Sequence, residues 1–227
     1  MTGDLDLRAL ADLLVYPGPD LGTRATACAA GLAGAGSPAA ARLSRFATWA
    51  SAAGAGPLEE AYTSAFDLAP ICTPYVGDQL FGASGERSLL LSGHRELQRD
   101  AGIAPGAELP DHVAELLRLA AGPVPPEVRA DLLRDGLAPA LRKMLSALET
   151  AAHPWADAVA AALDAVEAAV GRAQGQPDEA GPERAGGSGG RELRGPQAPR
   201  GECPPARNDE HGCAATGLAD LDLEVTP

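Results

Sequence analysis

Aromatic side chains are scarce in this sequence: three Phe, three Tyr and two Trp among 227 residues. Strands draw heavily on aromatic and β-branched residues, whereas Ala and Leu dominate the 45% hydrophobic content here. That composition favours packed helices over sheets. Basic residues are also in deficit, 18 Lys and Arg against 31 Asp and Glu, for a net charge of −13. A surface of that sign repels nucleic acid and anionic membranes, so neither is expected as a partner. No run is long and apolar enough to span a bilayer. The opening Met1-Thr-Gly-Asp-Leu-Asp6 is acidic and lacks the apolar centre of a signal peptide. The expectation is a soluble, cytoplasmic protein without stable membrane insertion. Four cysteines in a chain of this length do not make a disulfide framework. No segment matches the phosphate loop G-x-x-x-x-G-K-S/T or a strand followed by G-x-G-x-x-G. The four histidines, His94, His112, His153 and His211, have no nucleophile elbow beside them. The sequence therefore offers no recognisable catalytic machinery; it is not expected to be an enzyme, and no cofactor and no metal site are expected.

Periodicity and Pro/Gly punctuation predict an all-α single helical bundle over residues 1–173. A first helix is expected over 5–15, with Leu7, Leu10 and Leu14 on one face and Tyr16-Pro17-Gly18-Pro19 as its stop. An alanine-rich helix containing Cys28 follows to about residue 32. Ser37-Pro38 restarts the chain as N-cap and first-turn proline, and Pro57 opens a helix through Tyr62 and Phe66. Residues 67–85 have no clean period and several Pro and Gly, so a structured loop is expected there. Further helices are predicted over 86–101 with Leu90 and Leu97 inward, from Pro110, over 127–134, over 137–152 and over 155–173. Trp155, Val159, Leu163, Val166 and Val170 form a stripe in the last of these.

Composition changes near residue 174. Residues 174–227 are rich in Gly, Pro, Glu and Arg, hold no aromatic residue and include the linker-like Gly186-Gly-Ser-Gly-Gly190. They are predicted to be a disordered tail, because they cannot bury enough apolar surface to offset ordering entropy. Cys203, His211 and Cys213 lie in it. Their spacing lacks the close pairs of a structural zinc site, but it leaves an alternative reading: a helical scaffold or regulatory protein with a redox- or metal-responsive tail.

The run Glu108-Leu109-Pro110-Asp111-His112 carries the most information. Pro110 suits a first helical position and Asp111 the positive helix N-terminus. Polar groups beside Pro at a helix start are expected to be exposed. An ordinary capped helix is the plain alternative. Tyr62 and Phe66, four apart on one helix, similarly admit a plain reading as core packing.

These pieces together resemble the redox-enzyme maturation chaperones, in particular the nitrate reductase molybdenum-cofactor assembly chaperones. Leu13-Leu14-Val15-Tyr16-Pro17 is similar to the family's opening segment, and Glu60-Ala-Tyr62-Thr-Ser-Ala-Phe66-Asp67 to its E-x-Y-x-x-x-F-D signature. Gly85-Glu86-Arg87 stands where the family has glycine-glutamate-serine-arginine, and Glu108 to His112 matches its E-L-P-D-H motif in full. Leu137-Ala138-Pro139 with the following leucines fits a later region. Leu68 to Gly77 is more similar to the trimethylamine-oxide and dimethyl-sulfoxide reductase chaperones, which leaves the client enzyme open. The resemblance implies an all-helical cytoplasmic chaperone, monomer or weak dimer. Its expected partner is the N-terminal peptide of the apo catalytic subunit of a molybdopterin-containing reductase, held for cofactor insertion. It places client-peptide binding at Tyr62, Phe66, Asp67, Glu86, Arg87, Glu108, Leu109, Pro110, Asp111 and His112. An acidic surface beside an apolar groove would complement a peptide bearing arginines and an apolar stretch.

Overall fold

Trp155 organises the packing. In the computed structural model, which describes residues 7–33 and 38–175, its side chain is fully buried. Its ring meets Phe46 at 5.0 Å, Tyr62 at 5.4 Å and Phe66 at 5.6 Å between centroids. Trp49 and Tyr16 extend the cluster through Phe46 and Tyr62. Six of the eight aromatic residues thus form one contiguous group. A chain poor in large side chains has concentrated them where three helices must be fixed against one another. Edge-to-face pairs such as Tyr62–Trp155 add about 0.5–1.5 kcal/mol each beyond area burial.

Those helices are α3 (Pro38–Ala53), α4 (Ala55–Phe66) and α10 (Trp155–Gly175). Around them lie α1 (Leu7–Ala11), α2 (Leu21–Ala33), α5 (Val76–Phe81), α6 (Gly85–Asp100), α7 (Val113–Ala120), α8 (Pro126–Asp131) and α9 (Ala138–Thr150). The class is all-α, and no β-strand occurs among the described residues. α2 packs against α3, α10 against both α3 and α9, and α1 against α7. Seven of the eight residues of α7 are buried, so this short helix is central rather than amphipathic.

Several boundaries differ from expectation. α1 spans only Leu7–Ala11, yet Leu7, Leu10 and Leu14 are all buried, because the turns after Ala11 keep the leucines inward. α4 begins at Ala55, before Pro57, since a proline in the first turn gives up only an N–H that has no helical partner. The stretch expected to be a loop contains α5, whose N-terminus is set by the contact with His112 described below. The helix expected from Pro110 starts at Val113. In α6 the most buried residues are His94 and Gln98, while Leu90 and Leu97 are only half-buried.

The two helices expected on either side of residue 135 are one continuous run through a π-helical turn, Leu132–Leu137. Pro139 lacks an N–H and its ring crowds the carbonyl four residues back. The widened turn relieves this, with the Ala138 N–H donating to the Leu133 carbonyl five residues back. α10 runs to Gly175, two residues into the expected tail; the rest of that tail, residues 176–227 with Cys203, His211 and Cys213, lies outside the described residues.

Trp155→Ala should lower unfolding free energy by about 3–5 kcal/mol, as for other fully buried aromatics. Phe81→Ala, at a ring 45% exposed on α5, should stay within about 0.5 kcal/mol of the parent. Urea denaturation followed by circular dichroism measures both. Equal losses would contradict the central position of Trp155.

Candidate functional site

The Glu108–His112 segment enters the molecule rather than lying on it. Asp111 and His112 have no solvent-exposed surface, and Pro110 is buried. This corrects the expectation that polar groups beside Pro110 face solvent. The physical reason is the helix that follows: α7 is buried on nearly every side, so the chain leading into it must turn inward.

Two backbone hydrogen bonds hold that entry. The Val76 N–H donates to the Asp111 carbonyl at 2.7 Å, and the Val113 N–H to the Pro74 carbonyl at 2.9 Å, pairing Tyr75 antiparallel to His112. The His112 side chain caps α7, its Nδ1 accepting from the Ala114 N–H at 3.1 Å. That bond fixes the neutral tautomer with its proton on Nε2. The Tyr75 ring stands edge-on to the imidazole at 5.4 Å. Burial, and secondarily the charge of Arg118, pushes the His112 pKa down to about 4, against a smaller opposing pull from Asp111.

Asp111 receives the Arg87 Nε–H at 3.0 Å, and the same guanidinium reaches Asp78 at 3.5 Å and lies over the Tyr75 ring at 5.4 Å. Arg87 therefore joins α6, α5 and the entry to α7. Gly77 makes this possible. A Cβ there would stand 2.8 Å from Asp111 Oδ2 and 2.9 Å from Arg87 Cγ, so only glycine admits the ion pair. His94, on the buried side of α6, has its pKa lowered by burial, with Asp111 pulling the other way. Among the described residues His94 Nδ1, Asp111 Oδ1 and His112 Nε2 have no hydrogen-bond partner.

Glu108 marks where this buried cluster meets the surface. Its Oε2 accepts from the Tyr75 hydroxyl at 3.1 Å. Burial, followed by the Glu108 charge, pushes the Tyr75 hydroxyl up to about 12 and also raises Tyr62. The structure thus brings Tyr62, Tyr75 and Glu108 into one electrostatic group. Tyr62 and Phe66 themselves pack in the aromatic core, so their side chains offer little surface. Asp67 is exposed at the C-terminus of α4, and Glu86 is exposed in the first turn of α6.

The open feature is a cavity of about 890 Å³ between α6 and residues 102–110. Ile103, Ala104, Pro105, Leu109 and Pro110 give it an apolar lining, with Tyr75 and Glu108 at one part of its wall and Arg95, Gln98 and Arg99 on α6. Leu109 is 41% exposed. Beneath the loop, a Cβ at Gly106 would overlap the Glu115 carboxylate, which is buried and paired with Arg118 at 2.7 Å. Of the expected site residues, Glu108, Leu109 and Pro110 line the cavity; Arg87, Asp111 and His112 support it from behind. Sequence reasoning missed Tyr75, Gly77, Arg95, Gln98 and Arg99. For the last three a signal existed: residues 95, 98, 99 and 102 share one helical face.

Cys72 is buried and its thiol is pushed up to about 12, so it stays protonated at neutral pH. Cys28 is half-buried beside the core. Among the described residues no three His, Cys, Asp or Glu side chains converge as a metal site would require, and no helix is long and apolar enough to cross a membrane. No family model matches the chain, and no curated protein is significantly similar to it.

Two outcomes follow from this geometry. Asp111→Ala should destabilise by about 2–3 kcal/mol, because it strands the partly buried Arg87 and empties packed space; chemical denaturation measures this, and a change under about 0.5 kcal/mol would mean the pair is idle. The depressed His112 pKa has a definite sign. The unfolded chain binds the proton near pH 6.5 and the folded chain only near 4, so stability is full above pH 6.5 and falls by about 3 kcal/mol as pH drops to 4. His112→Asn keeps a capping acceptor without titrating, and its stability should fall less across that range. Identical pH profiles would contradict the assignment.

Proposed function

We propose that this protein is an assembly chaperone: a cytoplasmic binding protein, not an enzyme. Its client is the N-terminal region of the apo catalytic subunit of a molybdopterin-containing reductase, a nitrate reductase or a relative, held until cofactor insertion. The observation that carries the reading is that the cavity of about 890 Å³ is bordered by Glu108, Leu109 and Pro110, the first half of the E-L-P-D-H motif. The all-α fold and the net charge of −13 agree with it. An apolar groove in an acidic protein suits a peptide with an apolar stretch and basic residues, drawn in by long-range attraction and held by desolvation.

The division of labour within the motif differs from the simplest expectation. Asp111 is buried and already paired with Arg87, so it is not the acceptor for a client arginine. Glu108, at the cavity wall, takes that role, and Leu109 supplies apolar contact. Asp111 and His112 hold the rim in place.

Titration calorimetry against the N-terminal peptide of such a catalytic subunit, encoded by the same genome, tests this. Glu108→Gln retains an acceptor for Tyr75 but removes the charge. It should weaken binding by about 1 kcal/mol, and Leu109→Asp by about 2 kcal/mol or more, with unchanged helical spectra. Absence of binding by the unaltered chain, or full affinity in both variants, would overturn the reading.

A further inference from the structure

The α6 wall of the cavity does not fit a purely basic and apolar peptide. Arg95, Gln98 and Arg99 are its polar lining, set three and four residues apart so that all face the same space. In a chain with 18 basic residues against 31 acidic ones, a cationic wall here is a local reversal of sign. Arg95 has no ion-pair partner among the described residues. Arg99 reaches only Asp100, its sequence neighbour, at 3.6 Å, and both side chains are more than 70% exposed, so that pair holds it weakly.

Gln98 supplies an independent observation. It lines the cavity and is only 4% exposed; its side-chain amide bonds no described residue and keeps a little accessible surface, unlike the sealed polar atoms of His94, Asp111 and His112. Polar groups in such partly enclosed positions are ordinarily bonded, so an amide left open to the cavity is where a ligand's polar group gains a partner. A side-chain amide presents one acceptor and two donors, which matches a peptide bond better than it matches a bare anion or a hydrocarbon.

We propose that the cavity is a peptide site with two charge-reading ends, and that its α6 end selects a carboxylate. Resting on the proposed chaperone reading, the preferred client segment carries a basic residue, then an apolar stretch, then an acidic side chain. The basic residue meets Glu108 and the apolar residues lie on Ile103, Pro105 and Leu109. Gln98 bonds a client backbone amide, and the acidic side chain forms charge-assisted hydrogen bonds to Arg95 and Arg99. Glu108 and the arginine pair, with opposite charges on one cavity, would set the direction in which the peptide lies.

Fluorescence anisotropy on the full chain tests this with short labelled peptides, acetylated and amidated so that side chains supply all the charge. One carries an arginine pair, a leucine-rich stretch and a glutamate; a second has glutamine in place of that glutamate. The glutamate peptide should bind about five- to tenfold more tightly, and raised salt should narrow the gap. In the double variant Arg95→Gln with Arg99→Gln the two peptides should bind alike, and Gln98→Leu should weaken both. Circular dichroism verifies that each variant is folded. Equal binding of the two peptides to the unaltered chain would overturn the carboxylate end while leaving the chaperone reading intact. If neither peptide binds, and the catalytic-subunit peptide does not bind either, both fall together.

Discussion

The antiparallel contact of Tyr75 with His112, closed by Val76 N–H to Asp111 and Val113 N–H to Pro74, is the constraint on which the rest of the site depends. It joins two stretches of irregular chain that would otherwise carry unsatisfied backbone groups into the interior. Once it forms, Asp111 cannot face solvent. Its carboxylate then needs a cation, which α6 supplies as Arg87, and the guanidinium in turn requires a glycine at position 77. Each demand passes to the next residue, so one short motif fixes the positions of α5, α6 and α7.

Under the proposed reading, this arrangement separates holding from binding. Arg87, Asp111 and His112 are buried or half-buried and bonded to one another or to backbone, whereas Glu108 and Leu109 present surface to the cavity. A binding site needs a rim whose side chains are free to meet a partner and a base that does not shift when they do. α6 serves both purposes, with Arg87 and His94 turned inward and Arg95 and Arg99 on the cavity. Its two most buried residues, His94 and Gln98, are polar, whereas the buried residues of α7 are apolar apart from Glu115, which is paired with Arg118.

Much of the scaffold was legible in the sequence because it rests on local signals. Proline at helix starts, glycine and proline at stops, and the Trp155 stripe are each properties of a few consecutive residues. The inward face of the α10 segment is where periodicity put it, with Trp155, Val159, Leu163 and Val166 buried. What could not be read was set by partners distant in sequence. α5 lies in a stretch without period because its start is fixed by His112, and the burial of Asp111 depends on Arg87, 24 residues away. The continuous run through Leu132–Leu137 was hidden because Gly136 and Pro139 read as a break, while a π turn absorbs them. Tyr62 and Phe66 took the plain outcome, core packing, yet Tyr62 still feels the charge of Glu108. The division of residues 108–112 into buried supports and an exposed rim required the third dimension.

Amide hydrogen exchange, with and without the proposed catalytic-subunit peptide, tests that division most directly. The Val76 and Val113 amides should exchange only through global or near-global opening in the free protein and change little on binding. The amides of residues 103–109 should exchange quickly when free and slow markedly when the peptide is present. Fast exchange at Val76 and Val113 in the free protein, or peptide protection confined to regions away from 103–109, would contradict the separation of a fixed base from a binding rim.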